Sequence, residues 1–459
     1  MSNDGKQATL IKDLTVGSVP KTLAVFAMPM VFANLLQTAY NMVDMVVVGQ
    51  FLGSVGLSAV SIGAAILHML TYLAMGFSTA SQVIVSQFVG AGDRKSVSRA
   101  IGTSLTFVLL CSFFITAVVL AIIDIVLHLL NTPAEAYFNA RQYVLVCSVG
   151  LFFIFGYNLV SAILRGMGDS RRPLVFIAIA AVTNLILDLL FIAVFHMDVF
   201  GAALATVAGQ AVSFITSIAY LYKKRKAFGF DFKPRSFKPD RDILRRLLKL
   251  GIPVCIQNTA IGFSMIFVSS FINAYGVVAS AVTGIGDKLA LVPAVIASSL
   301  STSGAAMIGQ CLGAGKMERI PKIIRFSLLA NITFALLLSA ITVFLPLKVF
   351  GLFTSDSKVL EMSLTYVACA VHCYFAFALR APFFALIYGT GQSKLNLWVG
   401  ILDGVICRIG LALFLGIVIG MGVRGFWYGS ALAGYVPFLV GFAYYISGKW
   451  KTKRLLVKS

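Results

Sequence analysis

Charge is scarce in this sequence: Asp, Glu, Lys and Arg make up 12% of its 459 residues, about half of the ~25% usual in a soluble domain. Hydrophobic residues make up 59%, and the mean hydropathy is +0.93. That much apolar surface needs lipid to cover it. The polar N-terminal segment is not followed by a short apolar stretch with a small-residue cleavage site, so the first hydrophobic segment is expected to be retained. Cysteine is sparse as well. Cys111, Cys147, Cys255, Cys311, Cys369, Cys373 and Cys407 form an odd set scattered through apolar runs, which reads as small buried hydrophobes and not as a disulfide framework. Cys369, His372 and Cys373 share a helical face, but three ligands with no Cys-x-x-Cys partner read as helix packing, not as a metal site.

What the chain does have is apolar runs of ~20 residues or more, the length that crosses a bilayer. They are predicted as helices near 22–50, 56–85, 100–130, 142–164, 173–195, 200–222, 247–273, 279–309, 323–350, 360–388, 395–420 and 424–447. The expected fold is therefore an all-α polytopic membrane protein with twelve transmembrane helices. Several runs exceed the crossing length, so tilts and kinks are expected, with Pro29 the candidate kink in the first helix.

The Lys and Arg residues are unevenly distributed. Thirty fall in the N-terminal segment, the 2–3, 4–5, 6–7, 8–9 and 10–11 loops and the C-terminal tail, against Arg141, Lys348, Lys358 and Arg424 on the other side. Both termini are then cytoplasmic by the positive-inside rule. The net charge of +20 follows from this topology and from contact with anionic lipid heads, and no nucleic-acid partner is expected.

Self-comparison finds an internal repeat. Gln87-Phe88-Val89-Gly90-Ala91-Gly92 matches Gln310-Cys311-Leu312-Gly313-Ala314-Gly315 at an offset of 223 residues. Ser78-Thr79 with Ser301-Thr302, Ile62-Gly63 with Ile285-Gly286, and Gly166 to Ser170 with Gly389 to Ser393 match at the same offset. An even number of helices per half means two like-oriented six-helix lobes. The expected domains are an N-terminal lobe at 1–222, a cytoplasmic basic linker at 223–246, a C-terminal lobe at 247–448 and a basic tail at 449–459. Such a pair of lobes suits alternating access, for which an enzyme has no need. The short outer loops also leave no room for a metal-binding acidic loop or a lumenal catalytic domain.

Ionisable groups inside spans cost about 2.5–3.5 kcal/mol at the centre on insertion scales, so each is a functional candidate. Asp188 lies four residues after Asn184 and shares its helix face. At ~1.5 Å rise per residue, Asp44, Asp188 and Thr206 sit at one depth, about 9–14 Å below the outer end. Two carboxylates, an amide oxygen and a hydroxyl are hard oxygen ligands, able to hold a proton between the acids or a small cation such as Na⁺. An ordinary polar pack between helices is the alternative reading. Asp124 is read as interfacial. The C-terminal half has Cys407 and Leu411 at the positions of Asn184 and Asp188, and carries Asp403, Arg380 and Arg408; either arginine is expected to neutralise Asp403. Gln37, Tyr40, Asn41, Gln257, Asn258, Arg380 and Arg408 are candidate substrate-cavity residues.

The chain resembles the multidrug and toxic compound extrusion (MATE) family of bacterial inner-membrane antiporters. The likeness rests on the twelve spans, the pattern Pro29…Asn41-Met42-Val43-Asp44…Val48-Gly49…Leu52-Gly53, the repeated Gln-x-x-Gly-Ala-Gly, and Leu164-Arg165-Gly166-Met167-Gly168-Asp169. The resemblance implies efflux of lipophilic, often cationic, compounds driven by inward H⁺ or Na⁺, with Asp44, Asn184, Asp188 and Thr206 as the cation-coupling residues. Some members carry an acid on helix 7, where this chain has Gln257 and Asn258; coupling is therefore expected in the N-terminal lobe. No cofactor beyond the coupling ion is implied, the partners are small lipophilic substrates and membrane lipids, and a monomer is expected. Arg380 and Arg408 keep a second reading open, a flippase for lipid-linked saccharides.

Overall fold

The computed structural model describes residues 11–452. Lys6 and the tail residues Lys453, Arg454 and Lys458, which count toward the charge asymmetry, lie outside the described residues. All regular structure among the described residues is helical.

α1 (Val19–Gly90) has 72 residues, which at ~1.5 Å each would reach about 108 Å, more than three times the ~30 Å of bilayer hydrocarbon. It divides at Gly53, where φ is 65° and ψ −162°, a conformation open to a residue without a Cβ. α2 (Arg94–Leu129) is followed by α3 (Ala134–Val149) and α4 (Leu151–Gly166), a pair bent by 49° that together makes one crossing. α5 (Arg171–Asp188) runs into a π-helical segment at Leu189–Val194, and α6 (Asp198–Lys223) returns to the short α7 (Arg225–Phe228).

The second half repeats the plan with α8 (Arg241–Asn273), α9 (Val277–Gly313), α10 (Ile320–Phe344), the short α11 (Pro346–Gly351) and α12 (Ser357–Gly389). α13 (Ser393–Ile401) and α14 (Arg408–Leu413) are joined by a π-helical segment at Leu402–Cys407 and followed by another at Phe414–Val418. α15 (Val423–Ala433) and α16 (Val436–Ile446) close the bundle. Ten helical stretches among the described residues are long and apolar enough to cross a membrane, and the bent pair adds another; with α1 divided at Gly53, the crossings number twelve.

The chain forms two compact units, Met28–Leu248 with the residues ahead of Leu14, and Leu14–Ala27 with Lys249–Ser459. Unlike a division at the ends of the linker, this one places Leu14–Ala27 in the second unit. Leu14, Val19, Leu23 and Phe26 pack in a core with Leu300, Met307, Ile308 and Phe383, and the Leu14 N–H donates to Gln310 Oε1 at 2.9 Å. The change of unit falls just before Pro29, which has no N–H to donate within α1.

The linker belongs to the first unit because it docks on α2. Phe228 and Phe230 are buried, Thr106 donates to the Phe237 carbonyl at 2.7 Å, the Asp240 N–H donates to Thr103 at 3.0 Å, and Arg99 pairs with Asp240 at 3.0 Å. Gly102 admits the linker: a Cβ there would lie 1.8 Å from the Ser236 carbonyl oxygen.

Candidate cation and substrate sites

In the first unit α1 supplies Asp44, α5 ends on Asp188 with Asn184 one turn earlier, and α6 supplies Thr206. Asp188 is 0% and Asn184 4% exposed, while Asp44 and Thr206 are half-buried. The Asp44 and Asp188 side chains meet, and Asn184 stands beside Asp188. Two ionised carboxylates have no proton to share, so their contact becomes a hydrogen bond only when one is protonated. Asp44 Oδ1 and both Asp188 carboxylate oxygens are buried without a hydrogen-bond donor. The ion pairs among the described residues are Arg99–Asp240, Arg141–Asp124, Lys233–Asp231 and Arg408–Asp403, so no cationic side chain balances the two acids. This is an oxygen-lined site short of one positive charge.

Tyr143 on α3 completes it and was not anticipated. Its side chain is buried and has the Thr206 side chain, Asp44 and Asp188 as neighbours. The Thr206 hydroxyl donates to the Ala202 carbonyl at 3.0 Å. Gly63 on α1 gives the tyrosine its place, since a Cβ there would lie 2.3 Å from the ring. One signal in the sequence could have found Tyr143: it pairs with Tyr366 at the same 223-residue offset as Gly63 with Gly286.

Of the candidate cavity residues in this half, Tyr40 interacts with Gln37 and with Gln210, a residue the sequence did not single out, and has Asp44 and Tyr157 as electrostatic neighbours. Gln37 is exposed and Asn41 half-buried. Asp124 lies at the surface, accepting from Arg141 at 2.7 Å and from Tyr137 at 2.9 Å.

The second unit carries different chemistry. Arg408 donates to Asp403 at 2.7 Å and to the Ser430 hydroxyl at 3.0 Å, with Asp403 0% and Arg408 5% exposed. Of the two arginines, Arg408 is therefore the one that forms the ion pair with Asp403. Arg380 lies over the Phe377 ring, 4.4 Å from its centroid. Gln257 is buried and accepts from Tyr388 at 3.0 Å, and Asn258 is half-buried on the next position of α8. His372 sits 3.4 Å from the Tyr435 hydroxyl, and Cys369 and Cys373 are neighbours on α12.

Two repeated bundles of six crossings with uncompensated carboxylates inside the membrane define a polytopic helical transporter, not an enzyme. The comparisons agree. The MatE family model matches residues 29–190 and 253–424. The "Probable multidrug resistance protein YpnP" of Bacillus subtilis is 34% identical over 67% of this chain and 68% of its own length. The "Probable multidrug resistance protein YoeA" of the same organism is 27% identical over 95% and 96%. The multidrug export protein MepA of Staphylococcus aureus is 23% identical over 84% and 85%. Among solved structures, a MATE in its bent conformation superposes with a TM-score of 0.87 at 24% identity over 98% of this chain and all of that one. This chain belongs to the MatE family, the multidrug and toxic compound extrusion transporters: a multi-pass membrane protein whose substrates are small molecules.

Proposed function

We propose that this protein is an antiporter of a bacterial inner membrane, with both termini cytoplasmic, which exports lipophilic compounds by alternating access in exchange for inward H⁺ or Na⁺. The supporting observation is the Asp44–Asp188 pair: two carboxyl groups in contact, Asp188 buried and Asp44 half-buried, and without a cationic side chain in an ion pair with either. A proton between them or a cation on their oxygens removes the repulsion. Asn184, Thr206 and Tyr143 complete an oxygen-rich shell. Binding there biases the lobe toward whichever state holds the ion more tightly, and that differential is the coupling.

Ethidium flux into inverted vesicles, driven separately by an imposed pH gradient and an imposed Na⁺ gradient, tests the reading. Uptake under one gradient and its absence in Asp188→Asn vesicles are expected. Uptake that neither gradient drives in the wild type would sink it. A reporter fused after Lys226 and another after Ser459 should both read out cytoplasm; a periplasmic signal from either reverses the orientation.

A further inference from the structure

The second unit holds a cavity of about 190 Å³. That is below the ~300–1,000 Å³ of pockets that enclose a whole drug-sized ligand, so it suits one end of a molecule. Ile261, Met265, Val268 and Phe377 supply apolar wall, and Arg380, Arg408 and Ser430 line it with polar groups. Asp403 is already paired with Arg408 at 2.7 Å. Arg380 has no carboxylate within ion-pair distance among the described residues; its close companions are the rings of Phe377 and Phe384. Around Asp403 there are therefore two guanidinium groups, of which Arg408 holds the ion pair and Arg380 stands within electrostatic reach of it. Asp287 also lines the cavity: Tyr366, Cys369 and Cys373 feel its charge, Cys373 that of Arg380 and Arg408 as well, and its own charged neighbour is Lys288.

An unneutralised guanidinium on an aromatic platform at an apolar cavity is a receptor for an anionic group on a hydrophobic body. We infer that this cavity binds the anionic end, carboxylate, sulfonate or phosphate, of an amphiphilic substrate, with Arg380 as the recognition residue and Phe377 holding its guanidinium plane. Arg408 is a positioning residue for the cavity wall, because Asp403 and Ser430 occupy its Nη atoms. The inference rests on the export reading for what becomes of the bound molecule. A free amphiphilic anion and a prenyl-linked phosphate share the chemistry it specifies.

Trp427 lines the same cavity, its indole N–H donating to Thr283 at 2.8 Å, and reports occupancy by fluorescence in a Trp398→Phe, Trp450→Phe background. The protein in nanodiscs is titrated with 2-naphthalenesulfonate, its trimethylammonium counterpart of the same apolar body, and farnesyl phosphate. At least one anion is expected to bind tenfold or more tightly than the ammonium compound, and the tighter of the two anions identifies the source. Arg380→Gln should weaken the anion at least tenfold and leave the ammonium compound unchanged, whereas Arg380→Lys should retain most of the affinity. Asp287→Asn guards against a misfolded Arg380 variant: removing a negative charge from the cavity should tighten the anion about threefold. Neither anion binding more tightly than the ammonium compound, an Arg380→Gln variant that binds the tighter anion like the wild type, or weaker anion binding in Asp287→Asn would overturn the inference. Ethidium flux is read in parallel. Intact anion binding without gradient-driven flux would sink the export reading alone, and intact flux without anion binding would sink this one alone.

Discussion

In the first half Tyr143 closes on Gly63, and in the second Tyr366 closes on Gly286; at each glycine a Cβ would come within 2.3 Å of the ring. The scaffold is thus repeated down to single contacts, yet its contents are opposite. Where the first half has Asn184, Asp188 and Thr206, the second has Cys407, Leu411 and Gly429, and where it has Tyr157 the second has Arg380. The first half is left with two acids and no cation between them, the second with an acid paired to Arg408 and a further guanidinium, Arg380, outside that pair. A duplicated bundle keeps its packing because glycine–aromatic contacts tolerate little change. Its polar residues are free to diverge, and here they have separated an oxygen-lined pair of acids from a guanidinium-lined cavity.

The largest test of that division is Asp188→Asn, which nearly keeps the shape and removes the charge. Gradient-driven efflux should fall to the vesicle background with normal membrane insertion. Asp44→Asn should do the same, and the double variant should be little worse than either, since the two act as one site. Wild-type rates in Asp188→Asn under both gradients would move coupling to the other half, around Asp403.

Breaking the buried pair of the second half should show up as lost stability. Arg408→Leu leaves Asp403 buried and unpaired, a change that costs about 3–5 kcal/mol in such sites. A large drop in the melting temperature is expected by fluorescence-detected gel filtration, whereas Asp188→Asn should melt no lower than the wild type. Equal losses in both would mean that the two acids of the first half are as well compensated as Asp403.

The linker docks on α2 of the first half. Gly102, which faces the Ser236 carbonyl, corresponds to Arg325 in the repeat. Gly102→Ala should lower stability by about 1–3 kcal/mol, as overpacking does, and expose the linker to proteolysis between Lys226 and Arg241. An unchanged cleavage pattern would show that the docking seen at Thr103 and Thr106 is dispensable.

A smaller effect separates the two tyrosines. Tyr143→Phe removes the hydroxyl beside Thr206, Asp44 and Asp188 and should slow efflux severalfold, while Tyr366→Phe should leave gradient-driven efflux intact. Equal slowing in both would place the ring, not the hydroxyl, in the function.

The smallest effect is at the N-terminal end of α2. Asp93 caps it, accepting from the Ser96 N–H at 3.0 Å, and Ser96, through its hydroxyl and N–H, holds that carboxyl below the usual range. The repeat has Lys316 there and no side-chain cap on α10. Because the folded-state value is depressed, the cap's contribution is present above the ordinary carboxylate range and is lost as pH falls through the lowered value. Hydrogen exchange in the first turn of α2 should rise in acid and at neutral pH in Asp93→Ala, with the first turn of α10 as the unaffected control.

The spans, their number and the repeat were legible in the sequence because they are one-dimensional properties: apolar run length against bilayer thickness, and residue identity at a fixed offset. The depth match of Asp44, Asp188 and Thr206 was legible for the same reason, since rise per residue is constant along a helix. What sequence spacing could not decide was which side chains meet. At ~100° per residue, positions five apart on an α-helix lie well round from each other. The π-helical segment at Leu402–Cys407, with its i→i+5 closure, brings Asp403 and Arg408 together and leaves Arg380 over. Tyr143 reaches the acids through the absence of a side chain at Gly63, and Leu14–Ala27 joins the second unit through contacts some 300 residues away in sequence, such as Leu14 with Gln310. Local hydropathy and periodicity carry no term for such approaches between distant helices; only the packed tertiary structure decided them.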